Sequence, residues 1–209
     1  MDFMKAFDKV LHRRLLHKMH RYKISEKVIK WVENFLSNRL QKVIVNGAES
    51  KCHNATSGIP QGSVMGPILF VIYINDMPEM VESATYLFAD DTKFFREIRE
   101  ENGEKMLQAD LESLQNWSDT WLLKFHPNKC KVMSVANKCV DKGTKHYYLY
   151  DNEGNKIELE QSDGEKDIGV LVDETLSFNK HIQNQTNSIM GLIRRTCTHL
   201  DEQSFKYLF

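Results

Sequence analysis

The 209-residue chain has only four cysteines, Cys52, Cys130, Cys139 and Cys197, and none of them forms a Cys-x-x-Cys pair or falls at zinc-finger spacing. Their scarcity and spacing argue against a disulfide framework and against a structural zinc site, and leave reduced intracellular thiols as the expected state. No basic-then-apolar leader opens the sequence. The longest apolar stretch, Met65 to Ile74, is interrupted and far too short to span a bilayer, so neither secretion nor membrane insertion is expected. Internal repeats, coiled-coil heptads and low-complexity tracts are missing as well. Net charge is almost absent, with 28 Lys and Arg against 29 Asp and Glu. Spread evenly, that balance would speak against a nucleic-acid partner.

The charge is not spread evenly. Residues 1–42 carry 11 Lys and Arg against 4 Asp and Glu, whereas residues 151–174 carry 2 against 9. A basic N-terminal region is compatible with phosphate contacts, although solvated helix faces give the same count. With 41% hydrophobic and 27% charged residues, the composition is that of a globular chain able to bury a core in one domain or one and a half.

The most informative stretch is Tyr86-Leu-Phe-Ala-Asp-Asp-Thr-Lys-Phe-Phe95, where Asp90 and Asp91 interrupt what would otherwise be one apolar strand. Strand-forming residues on both sides of an Asp-Asp pair predict a tight hairpin with the carboxylates at its bend. Asp is a good turn residue in its own right. Hard oxygen ligands at the end of a rigid strand pair are also what a Mg²⁺ site for phosphoryl transfer requires, and such a site needs a further carboxylate from elsewhere.

Along the chain, Asp2 to Phe7 reads as a strand end. Apolar residues at Leu11, Leu15, Leu16, Met19 and Tyr22 predict a first helix, with Arg13, Arg14, Lys18 and Arg21 between them. Ser25 is placed to cap a second helix, whose Val28, Trp31, Val32, Phe35 and Leu36 predict a core stripe. Asn46-Gly47 predicts a hairpin turn. Ser57-Gly-Ile-Pro-Gln-Gly-Ser63 puts two glycines and a proline just before an apolar helix, a loop able to approach a ligand closely. Residues 103–121 predict a long amphipathic helix carrying Leu107, Leu111, Leu114, Trp117 and Trp121. Beyond it, strands are predicted at 131–135, 147–150, 156–159 and 168–172, and a helix at 179–198. Helices mixed with short strands predict an α+β fold.

Five segments in this order, Asp2-Phe-Met-Lys-Ala-Phe-Asp8, Ser57 to Ser63, Phe88-Ala-Asp-Asp91, Trp121-Leu-Leu-Lys-Phe-His-Pro-Asn-Lys-Cys130 and Asp167-Ile-Gly-Val170, closely resemble the reverse transcriptase of non-LTR, LINE-type retrotransposons, nearest to jockey-like and chicken-repeat-like elements. The resemblance implies a right-hand polymerase palm over 1–160, an antiparallel sheet backed by helices, with the primer-grip region and start of a thumb over 161–209. It implies RNA-directed DNA synthesis with two Mg²⁺ ions, or Mn²⁺, held by Asp2, Asp90, Asp91 and the carbonyl of Phe3. Ala6, Phe7, Gln61 and Gly62 are the implied nucleotide-binding residues, Phe7 closing the sugar pocket against a 2′-hydroxyl. Lys129 is the implied acid toward pyrophosphate, with Lys124 competing for that role, and Ile168, Gly169 and Val170 are the implied primer grip. The implied partners are an RNA template, a DNA primer and deoxynucleoside triphosphates, in the nucleus or cytoplasm, with no membrane.

His126 stands where the family more often has Asn, Met4 where it has a small polar residue, and Ile168 where it has Leu; none of these is an implied metal-binding carboxylate. Two other readings remain at this stage, a catalytically silent relic that at most binds nucleic acid and a metal-dependent nuclease. The Phe7 gate and the Gln61 loop favour polymerisation, because hydrolysis needs neither. Only Met1 precedes Asp2, so the expectation is a segment of a longer reading frame that lacks fingers, a full thumb and endonuclease regions and by itself incorporates no nucleotide.

Overall fold

Leu11, Leu15 and Met19 recur at helical spacing, and helix α1 (His12–Arg21) forms there, burying Leu15 and Met19. Helix α2 (Glu26–Leu36) follows, with Ser25 at its N-cap: the Ser25 carbonyl accepts the N–H groups of Val28 and Ile29, but its hydroxyl makes no capping bond. The structure, a computed structural model, describes residues 1–98, 101–136, 145–151 and 153–196. These fall into two compact units: one of Met1–Cys130 with His146–Leu159, the other of Lys131–Lys145 and Glu160–Phe209 so far as they are described.

In the first unit, an arm of four two-residue strands follows α2. β1 (Leu40–Gln41) pairs with β4 (His53–Asn54), and β2 (Ile44–Val45) with β3 (Ala48–Glu49), both antiparallel. Asn46 and Gly47 turn between β2 and β3 with φ of 50° and 82°, the left-handed geometry for which Asn-Gly is suited. Next comes α3 (Met65–Ile74), which buries Leu69, Phe70, Tyr73 and Ile74. β5 (Ala84–Phe88) and β6 (Asp91–Phe95) form the expected hairpin. α4 (Glu101–Trp121) buries Leu111, Leu114 and Trp117, and a short hairpin of β8 (Tyr148–Tyr150) and β9 (Lys156–Glu158) packs against it. Between α4 and that hairpin in sequence lies β7 (Lys131–Val132), which belongs to the second unit.

In the second unit, β7 runs parallel to β10 (Glu160–Gln161), and β11 (Gly164–Asp167) pairs antiparallel with β12 (Val170–Asp173) before α5 (Asn179–Thr196). Mixed helices and small, mostly antiparallel sheets agree with the α+β expectation. Among the described residues, no helix is long and apolar enough to cross a membrane.

Several expectations need correction. Asp2 to Phe7 is not a strand end throughout: Phe3 makes a single antiparallel bridge to Phe125, after which the chain turns into a short 3-10 helix at Phe7–Lys9. The stripe on α2 splits. Ile29, Val32 and Leu36 are buried, but Val28 is 45% and Trp31 52% exposed, with Trp31 stacked on Phe35 at 5.5 Å. The apolar stripe predicted there is wider than the face that α1 covers. Residues 168–172 are not one strand, because Ile168 and Gly169 form the turn between β11 and β12 at φ of 47° and 85°. The strand at 131–135 is confined to Lys131–Val132. Asn152 in the predicted 147–159 hairpin turn, and residues 197–198 of the last helix, lie outside the described residues.

The largest correction is Lys18, read in the sequence as part of a polar face. It sits three residues after Leu15 and one before Met19, on the buried side of α1, and is wholly shielded from solvent. Its ammonium donates to the Asp76 carboxylate and the Tyr73 carbonyl, and lies 3.8 Å from the ring centroid of Trp121 and 4.8 Å from that of Trp117. Trp117 Nε1 donates to the same Asp76 carboxylate at 3.0 Å. Buried charge of this kind persists only when paired and hydrogen-bonded, and the aromatic faces add cation–π attraction. Burial nevertheless pulls the Lys18 pKa from 10.5 down to about 8, against the pairing with Asp76, which raises it.

Two outcomes follow for Lys18. Lys18→Met alone leaves Asp76 buried and unpaired and should cost about 3–5 kcal/mol in urea unfolding, whereas Lys18→Met with Asp76→Leu should recover most of that loss. Because the folded Lys18 pKa lies below its unfolded value, the unfolded chain binds more protons between about pH 8 and 10.5. The cost of the buried ammonium is therefore full below that window and relieved across it, so wild type should gain stability relative to the double variant as pH rises through it.

Candidate active site

A two-residue turn places the paired carboxylates. Phe88 and Asp91 are the last facing residues of the β5–β6 hairpin, so Ala89 and Asp90 form the bend, Ala89 at φ 51°. Asp90 is half-buried and Asp91 exposed. The base of the hairpin is fixed to α4 by Asp110, which is buried and accepts the backbone N–H groups of Glu82 and Ser83 at 3.1 and 3.2 Å and the Ser83 hydroxyl as well. Arg96, just after β6 at the same base of the hairpin, lies 3.6 Å from the Asp110 carboxylate and donates to Ser83 Oγ at 3.1 Å. Leu107, Asp110, Leu111 and Leu114 share one face of α4, so Asp110 stood out in the sequence as an acid on an apolar stripe; that signal was not read.

Asp2 reaches this hairpin through the backbone. The Met1 amino group donates to the Thr92 carbonyl at 2.7 Å, and the Thr92 N–H donates to the Met1 carbonyl at 3.3 Å, so Asp2 follows a residue paired with the neighbour of Asp91. On the opposite side, the Asp2 carbonyl accepts the His126 N–H at 2.8 Å and the Met4 N–H donates to the Lys124 carbonyl at 2.8 Å. Those two bonds make the Phe3–Phe125 bridge and leave the Phe3 carbonyl outside it. The bridge is held by ring packing: Phe3 stacks on Phe125 at 4.7 Å and meets Phe70 and Trp117 at 6.4 Å each. The Asp2 N–H donates to the buried Cys130 Sγ at 3.4 Å, and burial pushes that thiol's pKa up.

The Asp2 carboxylate is held in an ion pair. Its partner is Lys129, whose ammonium lies 3.3 Å away, and among the described residues no three His, Cys, Asp or Glu side chains are grouped closely enough to hold a metal ion. Lys124 is engaged elsewhere, in an ion pair with Asp119.

The glycine-containing loop packs directly on the segment after Asp2. Gly58 N–H donates to the Val10 carbonyl at 2.8 Å, Ile59 N–H to Phe7 at 2.9 Å, and Ser57 Oγ to Asp8 at 3.0 Å. Gly58 is required here: at φ +85° a Cβ would sit 3.0 Å from the Asp8 backbone. Phe7 is half-buried and stacks on Phe70 at 4.7 Å, while Ala6 is buried beneath it. Phe7, Gln61, Gly62 and Asp90 then line one open cleft of about 530 Å³, together with Pro60, Val64 and Pro67. Residues 83 positions apart in sequence thus share one cavity wall. Gln61 also reaches behind the cleft, its amide 3.4 Å from the Asp8 carboxylate.

In the second unit, Ile168 and Val170 are exposed on either side of Gly169 at the tip of the β11–β12 hairpin. The turn after β12 is built by Asp173, whose carboxylate accepts the hydroxyls of Thr175 and Ser177, at 2.7 Å each, and their N–H groups, which hold its pKa well below the usual carboxylate range.

The comparisons with known proteins converge on one family. Residues 1–208 match the family described as Reverse transcriptase (RNA-dependent DNA polymerase). The RNA-directed DNA polymerase from mobile element jockey of Drosophila melanogaster is 31% identical over 195 residues, covering 88% of this chain and 20% of that protein. The corresponding protein of Drosophila funebris is 28% identical over 93% of this chain, and the probable RNA-directed DNA polymerase from transposon X-element of Drosophila melanogaster is 28% identical over 87%. The chain spans about a fifth of the length of these relatives. With the family match running almost end to end, the chain belongs to the reverse transcriptase family, among relatives from non-LTR retrotransposons.

Proposed function

We propose that this chain is the palm of an RNA-directed DNA polymerase, residues 1–160, followed by the primer-grip region and the start of the thumb, 161–209. The observation that carries the reading is the cleft shared by Phe7, Gln61, Gly62 and Asp90. A nuclease needs a carboxylate there but no aromatic gate and no loop beside the incoming base, so the combination favours template-directed transfer of a deoxynucleotide to a primer 3′-hydroxyl. An RNA template and a DNA primer are the partners this reading requires.

The donor chemistry fits a hard divalent cation, and a cation already stands at one donor, the Lys129 ammonium on Asp2. Asp2, Asp90, Asp91 and the carbonyl of Phe3 are the groups that would hold Mg²⁺ or Mn²⁺. When bound, two such ions lower the cost of forming the attacking oxyanion and of releasing pyrophosphate. The chain's own contribution is placement. Phe7, backed by Phe70, limits the room for a sugar substituent; the Gln61 loop supplies a polar group at the cleft wall; and Lys129 holds an ammonium, a proton donor, beside Asp2. Ile168-Gly169-Val170, an exposed tight turn, is the element proposed to hold the primer end.

The test is a chimera in which this chain replaces the matching segment of the jockey polymerase, assayed for extension of a DNA primer on an RNA template. Extension is expected, with Asp90→Asn and Asp91→Asn each lowering it by at least about 100-fold. A folded chimera whose extension is indifferent to both substitutions would sink the assignment.

Substrate choice gives a second, separable outcome. In that chimera, Phe7→Ala should reduce the preference for deoxy- over ribonucleotides by about 10-fold or more while primer extension with deoxynucleotides persists. Unchanged selectivity would return Phe7 to a packing role against Phe70.

A further inference from the structure

The first turn of α1 carries a side chain that none of the roles above uses. His12, half-buried, brings its Nε2 within 2.8 Å of the Gly58 carbonyl. A carbonyl only accepts, so the ring carries a proton on Nε2 and donates it. The contact falls at one end of the loop that lines the nucleotide cleft. Gly58 at φ +85° and Gly62 at φ +79° set off Ile59, Pro60 and Gln61 between two left-handed residues, so the place of Gln61 depends on how each glycine is held. The Gly62 end runs straight into α3, where the Ser63 hydroxyl donates to the Pro60 carbonyl at 2.8 Å and accepts the Gly66 N–H at 3.0 Å. At the Gly58 end the chain arrives from β4, both of whose residues are exposed.

We infer that His12 is a positioning residue for the nucleotide cleft: its Nε2–H fixes the Gly58 peptide, and through it the Gln61–Gly62 wall, against α1. The inference rests on the polymerase reading, which gives that wall its use. The other bonds at this end, from Gly58 N–H to the Val10 carbonyl, from Ile59 N–H to Phe7 and from Ser57 Oγ to Asp8, all run to the segment Phe7–Val10. They join the loop to the Phe7 side of the cleft but not to α1, so loop and segment would otherwise be able to shift together. The His12 bond ties both to α1, whose own place is set by the buried Lys18. Glycine sharpens the need for it. The freedom that lets Gly58 pass close to the Asp8 backbone also leaves its peptide easy to rotate, and a buried carbonyl without its donor favours such a rotation. Donation from His12 holds the peptide in the orientation that keeps Gln61 at the cleft.

Two measurements test this. In the 209-residue chain, hydrogen exchange at the Gly58 and Ile59 amides should quicken by about 10-fold or more in His12→Ala while α1 keeps its protection. His12→Gln, whose side-chain amide also donates, should return exchange toward wild type. Equal exchange in wild type and in His12→Ala, with folding checked by circular dichroism, would overturn the inference. So would a loss of protection spread along α1, because His12 would then be holding the helix rather than the loop. In the jockey chimera, His12→Ala should raise the KM for deoxynucleoside triphosphate by about 10-fold, with kcat lowered less than about 3-fold and the KM for primer–template unchanged. A purely structural loss would reduce the active fraction, and with it kcat, and leave the nucleotide KM as in wild type. That result, or a raised KM that His12→Gln does not lower, would also overturn the inference. A chimera indifferent to Asp90→Asn counts against the polymerase reading instead, and the exchange measurement, which needs no catalysis, still decides the contact.

Discussion

The buried ion pair of Lys18 and Asp76 is the constraint on which the first unit is built. It joins three helical segments at one point: α1 contributes the ammonium, the end of α3 and the turn after it contribute the Tyr73 carbonyl and the Asp76 carboxylate, and α4 contributes Trp117 and Trp121. An apolar interface tolerates sliding by a turn with little change in buried area. A buried charge does not, because any other register leaves an ion without a partner. The Tyr73 hydroxyl, donating to the Trp121 carbonyl at 2.6 Å, locks the α3–α4 contact a second time.

Fixing α4 in this way fixes the site. From α4, Asp110 holds the root of the β5–β6 hairpin, and the segment that leaves α4 at Leu122 supplies Lys124 and His126, the backbone partners of Met4 and Asp2. The β5–β6 hairpin is thus tied to the middle of α4 through Asp110, and the Asp2 segment to the chain just beyond the helix's C-terminus.

The candidate site residues stood out because the signals that mark them are local. Asp-Asp at a bend, Gly-Ile-Pro-Gln-Gly before a helix, and an aromatic five residues beyond an acid each carry a signal within a few positions, and the order of the segments carried the rest. The helices and the β5–β6 hairpin were legible from apolar period and turn residues. Less was visible where one local rule gave two answers. The stripe Val28-Trp31-Phe35 has the spacing of a core face, yet it is Ile29, Val32 and Leu36 that are buried, where α2 packs on α1. Lys18 and Asp110 occupy apolar positions in their helices, a mismatch that signals a buried partner. The identity of the partners, Asp76 and the Glu82–Ser83 backbone, depends on tertiary contacts across 58 and 28 positions, which no window along the chain contains.

The segment from Asp2 to Lys9 shows why a run this short can serve both faces of the molecule. A continuous strand would point its alternate side chains to two faces of a sheet, but here one bridge at Phe3 gives way to a turn at Lys5 and a 3-10 turn at Phe7–Lys9. The change of direction separates the side chains: Asp2 to Lys129, Phe7 to the cleft of about 530 Å³ and against Phe70, Lys5 and Lys9 to a second, polar cleft of about 340 Å³. Gly58 allows the loop 57–63 to press against the Asp8 backbone, and that contact makes the partition thin enough for the Gln61 amide to line one cavity while bonded to an acid lining the other. A side chain at Gly58 would force the loop and the Asp8 backbone apart. The geometry of the nucleotide cleft and that of its neighbour are therefore set by a single close approach of two backbones.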